Sequence, residues 1–313
     1  MRLILLLLVV LGVPACGAPA RPVVGAAVPV PAAPARHEVR MDDGHALAVW
    51  EKSPASPRGA ILLVHGRTWS ALPNFDLRVA GDDRSVMDAL ARAGYAAYGV
   101  DLRGYGATPR DSTGWLTPER AVRDVAAVLE WIAARQGAGA PRPTLLGYSR
   151  GAAVALLTAQ RHPDAMSAVV LYAFAADIDA DIPADAAAGP PPRRATTAEA
   201  AASDFITPAS TPRAVVDAYV AQSLATNPVR TDWRGEAEFN AMDPAAVRVP
   251  TLLIHGARDP LATVPLQEKV FSRLATPDRA WVILPNADHA AHLEDPFGAW
   301  VRAVVDFVER PRR

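Results

Sequence analysis

Residues 3–13 form an unbroken apolar run behind Met1-Arg2. As a helix such a run spans about 17 Å, too short for a bilayer core of about 30 Å. Residues 17–36 carry five prolines and no helical or strand period, so they have nothing to bury and read as a semi-extended tether. The pattern changes at His37. Residues 38–41 and 47–51 flank Asp42-Asp43-Gly44, a turn signal between two short strands. Ala60–Val64 is a continuous apolar run of buried-strand type and ends at His65-Gly66. A helical stretch over 84–92, stopped by Gly94, leads to an apolar strand over 95–100. A longer helix is predicted over 118–135, where Val122, Val125, Leu129 and Ile132 recur at spacings of three and four. Strand 144–146, helix 152–161 and strand Ala168–Tyr172 follow, and strand 251–254, helix 265–274, strand 281–284 and helix 297–308 complete the chain.

Strands alternating with helices predict a mostly parallel sheet covered on both faces, a doubly wound α/β architecture made mixed by the initial antiparallel hairpin. The alternation lapses over 174–246, a stretch rich in Ala, Asp and Pro that contains Pro190-Pro191-Pro192 and one helical stretch at 213–224. A segment this long does not stay a bare loop in a compact domain. It is expected to form a small, mainly helical cap over one end of the sheet. The organisation predicted is a signal peptide over 1–15, the tether over 16–36, an α/β core over 37–173 and 247–313, and the cap over 174–246.

Composition narrows the function classes. With 32 basic and 33 acidic side chains and a net charge of −1, no broad electrostatic attraction to nucleic acid is expected. One cysteine, Cys16, leaves no internal disulfide framework and no cysteine-based metal site. His37, His45, His162 and His255 lack metal-ligand spacing, and there is no G-x-G-x-x-G or Walker motif, so neither metal nor cofactor is expected. A single positive charge, a short apolar core and then small residues describe a secretory signal. Within it, Val13-Pro14-Ala15-Cys16 resembles a bacterial lipoprotein signal, in which cleavage precedes the cysteine and lipid joins its thiol. Cleavage after Ala18-Pro19-Ala20 is the alternative and would release a secreted or soluble periplasmic protein. The expectation is an exported cell-envelope lipoprotein that touches the membrane by its lipid anchor only.

Gly147-Tyr148-Ser149-Arg150-Gly151 fits G-x-S-x-G, a weak signal alone but here lodged between a short apolar strand and a strong helix former. A serine on that turn projects its hydroxyl at a helix N-terminus, where backbone N–H groups can stabilise an oxyanion. A serine nucleophile needs a base, and the base an orienting acid. Asp259 follows the strand at 251–254 and His289 follows the strand at 281–284, one αβ unit later. Both therefore leave the same edge of a parallel sheet as Ser149, at the carboxyl ends of the strands. His292 and His65 are the competing bases, and Asp177 is the competing acid. His65 is expected to fix a loop by hydrogen bonds, and Asp101, Arg103 and Asp124 are read as structural.

At this point the chain from about His37 onward resembles the α/β-hydrolase superfamily. The resemblance is carried by His65-Gly66 after a strand, Asp101-Leu102-Arg103-Gly104-Tyr105-Gly106, the serine elbow, the Asp259 segment, and His289 with Glu294 and Pro296 beyond it. It implies an α/β-hydrolase fold with Ser149, Asp259 and His289 as catalytic residues. It also implies oxyanion donors in the backbone N–H groups of Arg67 and Arg150, and a small-molecule carboxylic ester as substrate. Trp69 and Tyr148 are expected against that substrate. An amidase, peptidase, lactonase or C–C hydrolase on the same residues, or an inactive surface-displayed binding module, are the alternatives. Three positions depart from the family pattern. Asp288 stands where glycine often precedes the histidine and is expected to take the left-handed turn. Arg150 and Arg67 stand where apolar or small residues are common, and each is expected either to pair with an acid of the cap or to favour an acidic substrate.

Overall fold

A computed structural model describes residues 33–186, 189–207 and 210–310; the signal segment, Cys16 and most of the tether lie outside the described residues. β1 (Ala35–Arg40) and β2 (Ala46–Lys52) form the antiparallel hairpin. β1 starts inside the stretch expected as tether, because Ala35 and Arg36 pair with Glu51 and Trp50 of β2. β3 (Ala60–Val64) is followed by a short helix α1 (Ala71–Phe75) that the periodicity does not announce. Then come α2 (Val86–Arg92), β4 (Ala96–Val100), α3 (Pro118–Gln136), β5 (Thr144–Tyr148), α4 (Arg150–Arg161) and β6 (Ala168–Tyr172). After the cap, β7 (Thr251–Gly256), which α7 (Val264–Arg273) follows, leads on to β8 (Arg279–Leu284) and α8 (Phe297–Glu309).

The eight strands form one sheet in the order β1-β2-β4-β3-β5-β6-β7-β8. β2 meets β4 antiparallel, and every pairing from β4 to β8 is parallel. This is the mixed, doubly wound sheet of an α/β-hydrolase fold. Alternate residues of the central strands feed two cores: Leu62 and Val64 face the layer of α3 and α4, whereas Ile61 and Leu63 face that of α1, α2 and α8. Burial on both faces is why these strands read as continuous apolar runs. A third, smaller cluster joins Trp69 and Leu77 to Phe205, Val215 and Tyr219 of the cap.

The cap differs from expectation in being less helical. Among the described residues, helix is confined to α5 (Ala198–Ala202), α6 (Arg213–Thr226) and short 3₁₀ turns. Proline at 183 and 190–192 removes backbone donors, and the stretch before α5 satisfies its backbone otherwise. The Asn240 side chain, for example, accepts from the Ile182 N–H at 2.8 Å and donates to its carbonyl at 2.9 Å. No helix among the described residues is long and apolar enough to cross a membrane.

Candidate active site

Ser149 caps α4 at the end of β5 with φ 54° and ψ −115°, a region that costs energy for a residue with a side chain. The two flanking glycines allow this turn for a steric reason. A Cβ on Gly147 would sit 2.1 Å from the Gly151 carbonyl oxygen, and one on Gly151 would sit 2.4 Å from that of Val64. The elbow thus folds tightly against itself and against β3, and the strained serine is held by packing on both sides.

β7 and β8 run parallel and in register from Thr251↔Arg279 to Gly256↔Leu284, so Asp259 and His289 leave one edge side by side. The backbone before His289 crosses directly over Gly256, where a Cβ would lie 2.4 Å from the carbonyl oxygens of Ala287 and Asp288. Asp259 Oδ1 accepts from the N–H groups of Leu261 and Ala262 at 2.8 and 2.9 Å. Its Oδ2 lies 2.8 Å from His289 Nδ1. Burial pushes the Asp259 carboxyl upward, but the hydrogen bonds from His289, Ala262 and Leu261 outweigh it and hold the group below its ordinary value. An ionised carboxylate can only accept, so Nδ1 carries the imidazole proton. Nε2 is then free to accept from the Ser149 hydroxyl, 2.9 Å away.

The loop after β3 is pinned from two sides. Leu102 N–H donates to His65 Nε2 at 3.2 Å, which leaves Nδ1 to donate to the Gly66 carbonyl at 2.8 Å. Burial lowers His65 to about 4, so it is a neutral strut and not a base. The Tyr105 hydroxyl donates to the Arg67 carbonyl and itself accepts from Trp233 Nε1 of the cap at 2.8 Å. The Asp101–Gly106 motif therefore fixes the backbone beside Ser149. Over this loop the cap sets one carboxylate, Glu236, between two guanidiniums: Arg67 Nη1 lies 2.8 Å and Arg150 Nη2 2.9 Å from its Oε2. Arg150 also stacks on Phe239 of the cap, 5.0 Å from the ring centroid. Both arginines thus pair with an acid of the cap, the first of the two roles expected for them.

A cavity of about 320 Å³ opens here, lined by Arg67, Ser149, Arg150, Ala153, Ala176 and Ile182, among others. A larger hollow of about 630 Å³ beside Arg103 and Asp124 holds no serine, and Arg103 is there paired with Asp43 and Asp124. Trp69 and Tyr148 do not line the smaller cavity and are buried, at 2% and 4% exposure. Trp69 packs under the cap, and Tyr148 stacks on Tyr172 beneath His289. Their apolar bulk is used to support the site from behind. His292 is buried against Tyr148, Tyr172 and Trp300, with burial lowering it to about 3, and its Nδ1 meets the Tyr172 hydroxyl at 2.9 Å instead of Ser149. Asp177 lies at the cavity wall, held by Lys269 at 2.7 Å and away from His289. Asn286, not Asp288, takes the left-handed turn, with φ 59°. Asp288 instead turns its carboxyl inward, where it accepts from Thr207 N–H of the cap at 2.5 Å. Glu236 was invisible in the sequence, because nothing in the cap's pattern marks one acid among several. Among the described residues, no group of three or more His, Cys, Asp or Glu is placed to hold a metal ion.

A family model described as Hydrolase_4, serine aminopeptidase S33, matches residues 55–296. No curated protein matches the chain in sequence. Solved structures do resemble it. A serine hydrolase involved in carbazole degradation, the CarC enzyme, is 19% identical, with 88% of this chain and 99% of that chain covered and a TM-score of 0.61. A hydrolase from Pseudomonas aeruginosa PA01 is 23% identical over 88% and 98%, with a TM-score of 0.59. A thermophilic esterase from Thermogutta terrifontis is 20% identical over 88% and 98%, with a TM-score of 0.61. At these identities the likeness is one of fold.

Proposed function

The chain belongs to the Hydrolase_4, serine aminopeptidase S33, family and is a hydrolase of the α/β-hydrolase superfamily, and from that premise we propose that it cleaves small carboxylic esters through an acyl-enzyme on Ser149. The reading rests on one observation: Ser149 Oγ, His289 and Asp259 are hydrogen-bonded in a row, and Ser149 opens into a cavity. In the proposed reaction Ser149 Oγ attacks the ester carbonyl carbon while His289 Nε2 takes its proton. The Arg67 and Arg150 backbone N–H groups serve as donors to the oxyanion. Collapse breaks the bond to the alcohol, which leaves with the proton from His289. Water, activated by the same nitrogen, then releases the acid and restores Ser149.

The esterase reading draws on the esterase named among the structural relatives. The family's description as a serine aminopeptidase favours a second reading, cleavage of a peptide or amide bond on the same residues. A fluorophosphonate probe followed by a panel of short-chain esters, lactones and aminoacyl anilides separates them. Ester turnover and probe labelling, both lost in Ser149→Ala, are expected. Turnover of the anilides alone would overturn the ester assignment, and an unlabelled, folded wild type would leave only a binding module. The same proposal includes export, with residues 1–15 removed and Cys16 carrying lipid; release after Ala20 is its alternative.

A further inference from the structure

Glu294 is a buried acid that this chemistry does not use. Glu294 is fully buried beyond His289, and its two carboxyl oxygens accept from the backbone N–H groups that flank the histidine. Asp288 N–H reaches Oε2 at 2.9 Å, and Ala290 N–H reaches Oε1 at 3.1 Å. From the other side the Tyr172 hydroxyl donates to the His289 carbonyl at 3.0 Å. The peptide units around the base are thereby held on both edges, and a base must stay within a fraction of an ångström of its line to Ser149 to work. We propose that Glu294 is a positioning residue for His289, its carboxyl clamping the two peptide N–H groups on either side of the base. The inference rests on His289 being the base.

Burial and the Asp288 carboxyl also favour one protonation state of the clamp. Burial first, and the neighbouring Asp288 carboxyl next, raise Glu294 to about 9. At neutral pH it is therefore a carboxylic acid, able to donate its proton to Asp288 while its oxygens accept from the backbone. The Asp288 carboxyl in turn accepts from Thr207 N–H, so the pair also ties the cap to the histidine loop. The other charged or titratable groups around Glu294 are His289, His292 and Asp295 on its own loop, Tyr172 from β6, and Arg84 ahead of α2. Arg84 donates to the Glu294 carbonyl at 2.6 Å, and burial keeps the Tyr172 hydroxyl well above its ordinary range. Loss of the Glu294 proton would leave two buried like charges side by side beneath the base.

Three proteins test the clamp: wild type, Glu294→Gln and Glu294→Leu, each followed from pH 6 to 10.5 with a short-chain ester. Wild-type kcat is expected to fall above about pH 9 with KM little changed. Gln is neutral at every pH and keeps one acceptor, so its kcat should be reduced less than about tenfold and lack that alkaline fall. Leu keeps the bulk and no acceptor, and kcat should drop by about 10². Unfolding supplies a readout independent of turnover. Glu294 binds its proton more tightly folded than unfolded, so wild-type stability should decline as pH rises from about 4.5 to about 9, and Glu294→Gln should lose that component. An alkaline fall that persists in Glu294→Gln, or an unchanged pH dependence of its unfolding, overturns the proposal. A wild type that neither hydrolyses esters nor takes up the fluorophosphonate overturns the catalytic reading instead, and the unfolding comparison still judges the clamp.

Discussion

Asp259 holds its place by three hydrogen bonds, and their division between its two oxygens matters. Oδ1 is taken by two backbone N–H groups, so Oδ2 is left to face His289 as a pure acceptor. In Asp259→Asn the amide NH₂ would face Nδ1, drive the imidazole proton to Nε2 and leave no acceptor for the serine proton. kcat is expected to fall by about 10⁴, with folding retained by circular dichroism, because Asn keeps the shape and one oxygen for the turn. A loss under tenfold would mean that His289 does not act through this tautomer. That Ser149, His289 and Asp259 stand together was legible because each follows a strand of the apolar pattern within a few residues. The choice between His289 and His292 was not, since three residues of sequence separate them and both are buried. Orientation separates them: one ring reaches Ser149, the other packs among aromatic rings and shares the Tyr172 hydroxyl.

At the scale of elements, the cap is joined to the edge that carries Ser149 through Glu236, which sits between Arg67 of the β3 loop and Arg150 of α4. Burial pulls the Arg150 guanidinium below its ordinary value and Glu236 opposes that pull, so the carboxylate is a needed counter-charge. Arg67 is over a third exposed and solvent screens its share of the pairing. Glu236→Gln is therefore expected to loosen the cap by about 1 kcal/mol, a change of about fivefold. KM for a neutral ester should rise by about that factor while kcat changes less, and proteolysis within 174–246 should quicken. A loss seen only with substrates bearing a carboxylate would instead make the arginines a recognition site. Apart from the short helix α1, the core elements were predictable to within a few residues because each side-chain period is a local property. Among the described residues, the regular elements of the cap are helices, but they cover less of it than expected. Its Ala content favours helix, but its prolines and its contacts to the core decide otherwise, and those contacts bridge residues far apart in the chain, such as Trp233 and Tyr105.

For the whole molecule, the described domain begins with β1, the edge strand of the sheet, whereas Ser149 follows the central strand β5. Lipid on Cys16 is part of the present proposal, and it carries its own test. In the native host, Cys16→Ser is expected to move the protein from the membrane fraction to the soluble one. A mature terminus at Arg21 by mass spectrometry would replace lipid anchoring with simple secretion. The amino-acid sequence by itself determined the strand–helix alternation, the initial hairpin, the elbow around Ser149 and the strand ends at which Asp259 and His289 stand, because periodicity and adjacency act between near neighbours. Only the tertiary structure decided that Glu236 bridges two arginines, that Trp69 and Tyr148 are buried supports, and that Glu294 reaches back to both sides of His289. Those outcomes depend on distances through space between separate elements, and a linear pattern carries no term for them.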